Sequence, residues 1–236
     1  MGVLRAVLAW LLVPVICVAG LVVYLAKPFN PNNNCWLGRV LARSGRWILG
    51  MERPLVGLQN MPRDRPIVVI ANHQHNDDLF VMGDLLPPRT VTVGKSALAW
   101  LPFFGQVFWL GGNIMINRAK SGRAVAVMQA TSNAITRDRK SLWVFPEGTR
   151  SHGRGLQPFK KGAFYVAVAA EAPITMVCAS PYDSRTSGLL GRRQPVTVQI
   201  LPPVETAGLT NADIPDLVER CRNQMQQAVN ALPAAE

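Results

Sequence analysis

Residues 67–80 read IVVIANHQHNDDLF, and this stretch decides the fold class. Four consecutive apolar residues, all of them β-branched, are typical of a strand that is buried on both faces. A run of strongly polar residues follows, in which Asn76 or Asp77 can cap a helix that begins there. The stretch therefore predicts a strand, a polar loop and a helix, which together form the repeating unit of an α/β fold.

The same alternation continues along the chain. Because strands that alternate with helices run mostly parallel, we expect an α/β fold with a mostly parallel central sheet flanked by helices. In such sheets the active site lies beyond the carboxyl ends of the strands, so polar residues there are the first candidates. Further strands are predicted over residues 91–93, 114–116, 142–145, 174–177 and 196–201, and helices over 78–86, 120–137, 162–171 and 211–232.

The amino-terminal region predicts a membrane anchor. Residues 6–26 form an uncharged apolar run, long enough for a bilayer core that needs about 20 residues. The run is also longer than the apolar part of a cleaved secretory signal, which has about 7–15 residues. We expect a retained N-terminal hydrophobic helix, either spanning or monotopic. The predicted domains are membrane-anchoring helices over 1–53 and a globular domain over 54–236.

A second helical pattern covers residues 35–51. Its apolar residues recur at helical spacing, while Arg39, Arg43 and Arg46 lie largely on the other side. This predicts an amphipathic interfacial helix, and the alternative is an ordinary surface helix that packs on the core. More cations follow the apolar run than precede it, so the positive-inside rule predicts that the globular domain faces the cytoplasm.

The charge balance indicates an anionic partner. Lysine and arginine number 25 against 14 acidic residues, a formal net charge of +11, which suits nucleic acid, an anionic membrane or a phosphorylated substrate. The 4 cysteines form no CxxC pair and only 3 histidines occur, which argues against a disulfide framework or a structural zinc site. The sequence contains no GxSxG, GxxxxGK[ST] or GxGxxG motif, so a serine nucleophile elbow and the common nucleotide-binding loops find no support.

His73 and Asp78 are the candidate catalytic pair. They are five residues apart, which on one continuous helix would place them about 140° apart, so they can face each other only across a turn. A carboxylate in the first turn of the following helix can bind one ring nitrogen and leave the other basic. This arrangement predicts a general base, and the alternative is a solvated polar loop.

Three cations follow other predicted strands. Lys95 follows the strand at 91–93, Arg118 the strand at 114–116, and Arg150 the strand at 142–145. Each alone is consistent with a solvated surface charge. Since the carboxyl ends of parallel strands meet at one edge, their joint placement predicts an anion site beside the histidine.

Seven short blocks of the sequence follow one another in a set order and spacing. They are Asn72-His73-x4-Asp78, Val93-Gly94-Lys95, and the stretches 101–106 (LPFFGQ), 112–118 (GNIMINR), 145–151 (FPEGTRS), 159–163 (FKKGA) and 172–174 (API). In these blocks the chain resembles the glycerophospholipid acyltransferases, and within them the bacterial 1-acyl-sn-glycerol-3-phosphate acyltransferases. The resemblance covers about residues 66–232, and the order and spacing of its blocks make it specific. Two positions depart from the family pattern: Asn117 stands where aspartate is frequent, and Ala97 where glutamate is frequent.

The resemblance implies transfer of a fatty acyl group from acyl-CoA or acyl carrier protein to the sn-2 hydroxyl of lysophosphatidic acid, which gives phosphatidic acid. His73 would take the hydroxyl proton, and Asp78 would hold its tautomer. A thioester is already activated, so neither a metal nor a cofactor beyond the acyl donor is expected. The implied acceptor phosphate-binding group comprises Lys95, Arg118, Glu147, Gly148, Thr149 and Arg150, with Glu147 to Thr149 shaping the loop.

Other functions stay open at this stage. The same chemistry on lyso-ornithine lipid, another lysophospholipid or glycerol 3-phosphate fits the same residues. A membrane-anchored protein that binds anionic lipid or nucleic acid without catalysis would explain the charge but not His73 and Asp78. The expected partners are the acyl donor, lysophosphatidic acid and an anionic membrane, and not nucleic acid. We expect the acyltransferase domain, 54–236, on the cytoplasmic side of the inner membrane.

Overall fold

The computed structural model describes residues 2–116, 131–133, 135–182 and 194–233. In this part of the chain, seven strands form one sheet: β1 (Leu55–Val56), β2 (Val68–Ala71), β3 (Thr90–Lys95), β4 (Ile114–Ile116), β5 (Ser141–Val144), β6 (Ile174–Ala179) and β7 (Val198–Ile200). The helices are α1 (Val3–Ala26), α2 (Asn32–Leu49), α3 (Asp78–Met82), α4 (Phe104–Leu110), α5 (Gly162–Ala169) and α6 (Ile214–Ala231).

The sheet is mostly parallel, as the alternation of strands and helices predicted. Its strand order is β1-β7-β6-β2-β5-β3-β4, and the antiparallel contact between β6 and β7 is the exception to parallel pairing. Strand β2 lies between β5 and β6, so the loops that follow these three strands emerge side by side at the carboxyl-end edge. The polar residues after β2 therefore lie at the centre of that edge.

Helices cover both faces of the sheet. Along β2, Val69 and Ala71 belong to the core on the side of α1 to α4, whereas Val68 and Ile70 belong to the core on the side of α5 and α6. Successive side chains of a strand point to opposite faces, so an all-apolar strand fills two cores at once. This is why β2 lacks the alternation of polar and apolar residues seen in half-exposed strands.

Helix α1 packs along the protein over its whole length. Its buried residues Ala9, Val13, Cys17, Gly20 and Tyr24 recur every three or four positions and so form one stripe. Near its two ends, the Arg5 guanidinium donates to the carbonyl of Ile48 at 2.9 Å, and the Tyr24 hydroxyl donates to the side chain of Asn34 at 3.2 Å. The other side of the helix is apolar and exposed.

Helix α2 differs from the sequence prediction in the direction of its faces. Leu37 and Leu41 are buried inside the protein, and Arg46, expected on an exposed cationic face, forms an ion pair with Asp84 at 2.7 Å. The alternative of packing on the core is thus correct for these side chains. A separate outward face exposes two aromatic and two cationic residues at spacings of three or four: Trp36, Arg39, Arg43 and Trp47.

The predicted strands are all present, with end points that shift by a few residues. Strand β1 was not predicted, because two residues are too few to show a pattern. The carboxyl-terminal helix is preceded by a short 3₁₀ turn, Asn211–Asp213, in which Thr210 and Asp213 cap each other. Most of the helix predicted over 120–137 lies outside the described residues, as does Arg118.

Candidate active site

The polar loop after β2 is anchored to the neighbouring strand β6. The Asn72 side chain donates to the carbonyl of Ala179 at 2.9 Å and accepts from the N–H of Ala179 at 2.8 Å. The Gln74 side chain donates to the carbonyl of Ser180 at 2.9 Å. Both side chains are buried. The loop is therefore a structured part of the fold rather than a solvated connection, because buried amides must find partners.

The structure brings His73 and Asp78 together. Asp78 is the first residue of α3, and its Oδ2 lies 2.6 Å from Nδ1 of His73. The Asp78 side chain is 2% exposed and that of His73 is 23% exposed. The tight turn between the two residues provides the approach that the sequence required, and their catalytic role stays a prediction.

Three further donors converge on the Asp78 carboxylate. Its Oδ2 accepts the N–H groups of Gln74 at 2.8 Å and His75 at 3.2 Å, and its Oδ1 accepts the hydroxyl of Tyr182 at 2.5 Å. An ionised carboxylate can only accept hydrogen bonds, so the nitrogen of His73 that faces it, Nδ1, has to carry the ring proton. That tautomer leaves Nε2 of His73 with a free lone pair, which is the form that can accept a proton.

The imidazole ring is also held in one plane. The ring of Phe145, which directly follows β5, stacks on His73 with a centroid distance of 4.0 Å and an interplanar angle of 14°. Within the described residues, Nε2 of His73 makes no hydrogen bond. The ring is thus fixed on one side by Phe145 and at Nδ1 by Asp78, and its basic nitrogen is available to a substrate.

Glu147 lies inside the protein beneath this loop. Its two carboxylate oxygens accept the N–H of His73 at 2.6 Å and the N–H of Gln157 at 2.9 Å. Burial raises the pKa of Glu147 above its ordinary value, and the two N–H groups oppose that rise. Glu147 thus links the loop after β2 to the loop after β5 through both carboxylate oxygens, and its membership of the phosphate-binding group stays a prediction.

The loop after β5 is joined to the loop after β2. Arg150 donates through Nη1 to the side-chain oxygen of Asn76, and the N–H of Ser151 donates to the carbonyl of His73 at 2.8 Å. Gly148 adopts a φ of +71°, and a Cβ at this position would come within 2.9 Å of Cε and Nζ of Lys160. The glycine therefore allows both the turn and the passage of the Lys160 side chain.

The other predicted phosphate binders are placed less closely. Thr149 is exposed in the turn, and Lys95 is exposed at the end of β3. In the strand order, β3 is two positions from β2, so Lys95 lies at the same edge about 10 Å further along. Lys95 pairs in register with Ile116, and Arg118 follows two residues later, outside the described residues.

Three residues that contact the loops or the helix of the site were not among the predicted site residues. Tyr182 follows β6 at the same edge, so the strand-end rule that selected His73 could have selected it. Lys160 stands in the 159–163 block. Trp10 had no sequence signal, because it lies 67 residues before its partner: its indole N–H donates to Asp77 at 3.0 Å. The Trp10 ring also packs 5.1 Å from the ring of Phe80, so α1 directly contacts α3, the helix that begins at Asp78.

The thiols and possible metal ligands lie apart from this geometry. Among the described residues, no three side chains of the histidine, cysteine or acidic types come together as a metal site. Cys178 and Cys221 are buried, and burial raises the pKa of each thiol to about 12. Neither thiol has the thiolate character that a nucleophile requires at neutral pH.

Comparison with known proteins gives a consistent set of matches. The family model described as Acyltransferase matches residues 54–180. The 1-acyl-sn-glycerol-3-phosphate acyltransferase of Salmonella typhimurium is 38% identical, over 92% of this chain and 88% of the relative. The enzyme of the same name from Haemophilus influenzae is 35% identical, over 97% of this chain and 95% of the relative.

A solved structure shares the fold. The crystal structure of the 1-acyl-sn-glycerophosphate (LPA) acyltransferase from Thermotoga maritima superposes with a TM-score of 0.68. The match covers 94% of this chain and 97% of that one, at 17% sequence identity. At this identity the likeness concerns the fold, and it extends over the amino-terminal helices as well as the sheet.

Proposed function

Because this chain belongs to the acyltransferase family, we propose that it transfers a fatty acyl group from a thioester to the sn-2 hydroxyl of 1-acyl-sn-glycerol-3-phosphate. The product is phosphatidic acid, a precursor of membrane phospholipids. The observation that carries the proposal is the pairing of His73 with Asp78, with a free Nε2, beside Arg150. The printed names of the relatives support the choice of acceptor.

In the proposed reaction, His73 acts as general base and then as general acid. The acceptor hydroxyl gives its proton to Nε2 while its oxygen attacks the thioester carbonyl, so that a C–O bond forms. When the tetrahedral intermediate collapses, the C–S bond breaks and the leaving sulfur receives the proton from the imidazolium. The Asp78 carboxylate stabilises that imidazolium through the 2.6 Å contact to Nδ1.

The acceptor phosphate is held at the same edge of the sheet. Arg150 is fixed through one nitrogen by Asn76, and the rest of its fork can bind phosphate oxygens. Lys160 lies beside Gly148 in the same loop region, and Lys95 adds positive charge further along. A phosphate held there would position the sn-2 hydroxyl at Nε2 of His73. Arg118 remains a predicted contributor.

The acyl donor is acyl-CoA or acyl carrier protein. Both present the same thioester, and the chemistry at His73 is the same for each. The donor is a co-substrate, and the proposal includes no metal and no resident cofactor. A donor assay therefore has to compare the two thioesters directly.

The enzyme is proposed to sit in one leaflet of the inner membrane with its sheet on the cytoplasmic side. Helix α1 is the described helix that is long and apolar enough to span a bilayer. However, it hydrogen-bonds to α2 near both ends, through Arg5 and Tyr24, and to Asp77 of the globular domain through Trp10, so we propose that it lies along the membrane surface. We define the docking surface as the exposed apolar residues Leu11, Val15, Val22 and Leu25 with Phe29, Trp47, Trp100, Phe103 and Trp109.

The test is acyl transfer by the purified full chain with each donor. The acceptor panel contains lysophosphatidic acid, lyso-ornithine lipid, lysophosphatidylcholine and glycerol 3-phosphate. We expect the highest kcat/KM on lysophosphatidic acid, and a loss of about 10²–10⁴-fold in His73→Ala, as is typical when a general base is removed. His152→Ala is the matched control, because His152 is exposed and does not contact Asp78. Faster turnover of another acceptor, or more than half of the wild-type rate in His73→Ala, would refute the proposal.

A further inference from the structure

A cationic cleft lies at the edge of the sheet opposite the active site. It has a volume of about 850 Å³ and is formed by the segments that precede β2, β3 and β5 together with the turn between α1 and α2. Two acidic residues, Asp64 and Asp138, line it. Six cationic residues also line it: Arg63, Arg65, Arg89, Arg137, Arg139 and Lys140.

Only part of this positive charge is neutralised by the described residues. Lys140 pairs with Asp138 at 2.8 Å, and Arg65 pairs with Glu205 at 2.6 Å. Arg63 and Arg137 are exposed and form no ion pair with any described residue. The cleft therefore presents guanidinium groups whose charge is available to an anion.

Arg89 is held in place by the backbone of the cleft. Its guanidinium donates to the carbonyls of Asp138 at 2.7 Å and Arg139 at 3.2 Å. Arg89 and Arg139 both adopt left-handed backbone conformations, with φ angles of 56° and 50°, respectively. A non-glycine residue in this region is strained by roughly 1–2 kcal/mol. Glycine would adopt both conformations without this strain.

The rim of the cleft joins the docking surface. Phe29 lines the cleft and is 50% exposed, and its ring packs edge-on against Trp109 at 5.1 Å. Trp109 is itself 57% exposed. When these aromatic rings sit at the membrane interface, the neighbouring arginines lie at the depth of the lipid headgroups. This is where an anionic phosphate of the bilayer is found.

We propose that this cleft binds the phosphate of an anionic membrane phospholipid, at a site separate from the catalytic one. Arginine forks suit phosphate oxygens, and the strand length places the cleft on the order of 20 Å from His73. The proposal rests on the docking surface being seated in the membrane, and it is independent of the identity of the acyl acceptor. An acidic carrier protein is the less favoured occupant, because its thioester would arrive at the wrong edge of the sheet.

The experiment measures binding of the full chain to vesicles without any acyl donor. Vesicles of phosphatidylcholine are compared with vesicles that also contain phosphatidylglycerol, an anionic lipid that is neither substrate nor product of the proposed reaction. The test variant is Arg63→Gln/Arg137→Gln. The matched control is Arg220→Gln/Arg222→Gln, which removes two charges from α6 on the other face of the sheet. Melting in detergent and turnover on micellar acceptor check that both variants fold.

We expect phosphatidylglycerol to strengthen binding of the wild type and of the control pair. The test variant should bind vesicles that contain phosphatidylglycerol roughly 30-fold more weakly than the wild type does, at about 1 kcal/mol for each of its two lost cations. It should bind neutral vesicles as the wild type does. Equal losses in the two pairs would show a general charge effect and overturn the proposal. Full competition by inorganic phosphate at matched ionic strength would overturn the proposal too, because it would indicate a site for free phosphate. No dependence on phosphatidylglycerol would also overturn it and favour an acidic protein.

Discussion

The two edges of the central sheet are both rich in polar and cationic residues, but they are organised differently. At the carboxyl-end edge, His73, Asp78 and Glu147 are held by short hydrogen bonds and are largely enclosed. At the amino-end edge, Arg63 and Arg137 extend into solvent without ion pairs to the described residues. The first edge fixes geometry, whereas the second accumulates charge.

This difference follows from what each edge is proposed to do. Proton transfer depends on distance and direction, so each group needs a partner that holds it. Attraction of an anionic surface depends on charge density and is screened by salt, so Arg63 and Arg137 can contribute without a fixed position, unlike Arg89, which the backbone holds. Substitutions at the first edge should therefore have large effects individually, and substitutions at the second should have small effects that add.

Asp78→Asn should show the largest effect and tests the first half of the comparison. An asparagine can take the place of the carboxylate in shape, but it carries no charge to stabilise the imidazolium of His73 and can favour the wrong tautomer. We expect kcat to fall by about 10²–10⁴-fold, measured by steady-state acyl transfer. Asp216→Asn, an exposed change on α6, serves as control. If Asp78→Asn lowered only the melting temperature, the carboxylate would be structural.

Arg150→Ala should follow in size. A hydrogen bond to a charged group is worth about 1.5–3 kcal/mol, so kcat/KM for lysophosphatidic acid should fall roughly 10–150-fold. Arg150→Lys should recover only part of this, since an ammonium cannot form the bidentate contact. Arg154→Ala in the same loop is the control. A rise in the donor KM with an unchanged acceptor KM would assign Arg150 to the donor site instead.

Tyr182→Phe should have a moderate effect that appears in kcat. The change removes the hydroxyl that donates to Asp78 at 2.5 Å and keeps the ring. A hydrogen bond to a charged group is worth about 1.5–3 kcal/mol, but this one acts on His73 only through Asp78. We therefore expect about 0.5–1.5 kcal/mol of it to reach the transition state, so kcat should fall roughly 2- to 12-fold while both KM values stay constant. Tyr165→Phe on α5 is the control. Parallel changes in kcat and in melting temperature with altered KM values would indicate loss of folding rather than of positioning.

Arg139→Gly should have the smallest effect, and it should raise the free energy of unfolding rather than lower it. Glycine tolerates the φ of 50° at this position, so thermal or urea unfolding should show a gain of about 1 kcal/mol. The same change should weaken binding to anionic vesicles. Arg220→Gly within α6 should instead destabilise by about 1 kcal/mol. Loss of stability in Arg139→Gly would mean that the arginine side chain itself supports the fold.

Much of the fold could be predicted because its signals are local. The apolar strands, the polar loop after β2 and the helix at Asp78 each follow from the residues of one short segment. The antiparallel pairing of β7 with β6 could not be predicted in the same way, because it depends on which strand edge remains free once the others have paired. Likewise, the helical period at 35–51 showed an amphipathic helix, but not that Leu37, Leu41 and Arg46 turn inward.

The candidate site divides along the same line. His73, Asp78 and Arg150 were selected from the sequence, since His73 and Arg150 lie in the loops after β2 and β5 and Asp78 begins the helix that follows β2. The hydrogen bond from Tyr182 to Asp78 joins residues 104 positions apart, and that from Trp10 to Asp77 joins residues 67 apart. Such contacts exist only after two distant segments have packed together, so no local pattern encodes them.

By itself, the sequence determined the layered α/β fold, the apolar amino-terminal helix and the chemical groups at the strand ends, because periodicity and turn preferences act over a few residues. The tertiary structure decided how these groups are used. It directed four donors toward the carboxylate of Asp78, placed α1 against α3 and gathered cations from three separate segments into one cleft. The physical reason is that burial, hydrogen-bond direction and charge density are set by which surfaces meet, and packing of the whole chain selects those surfaces.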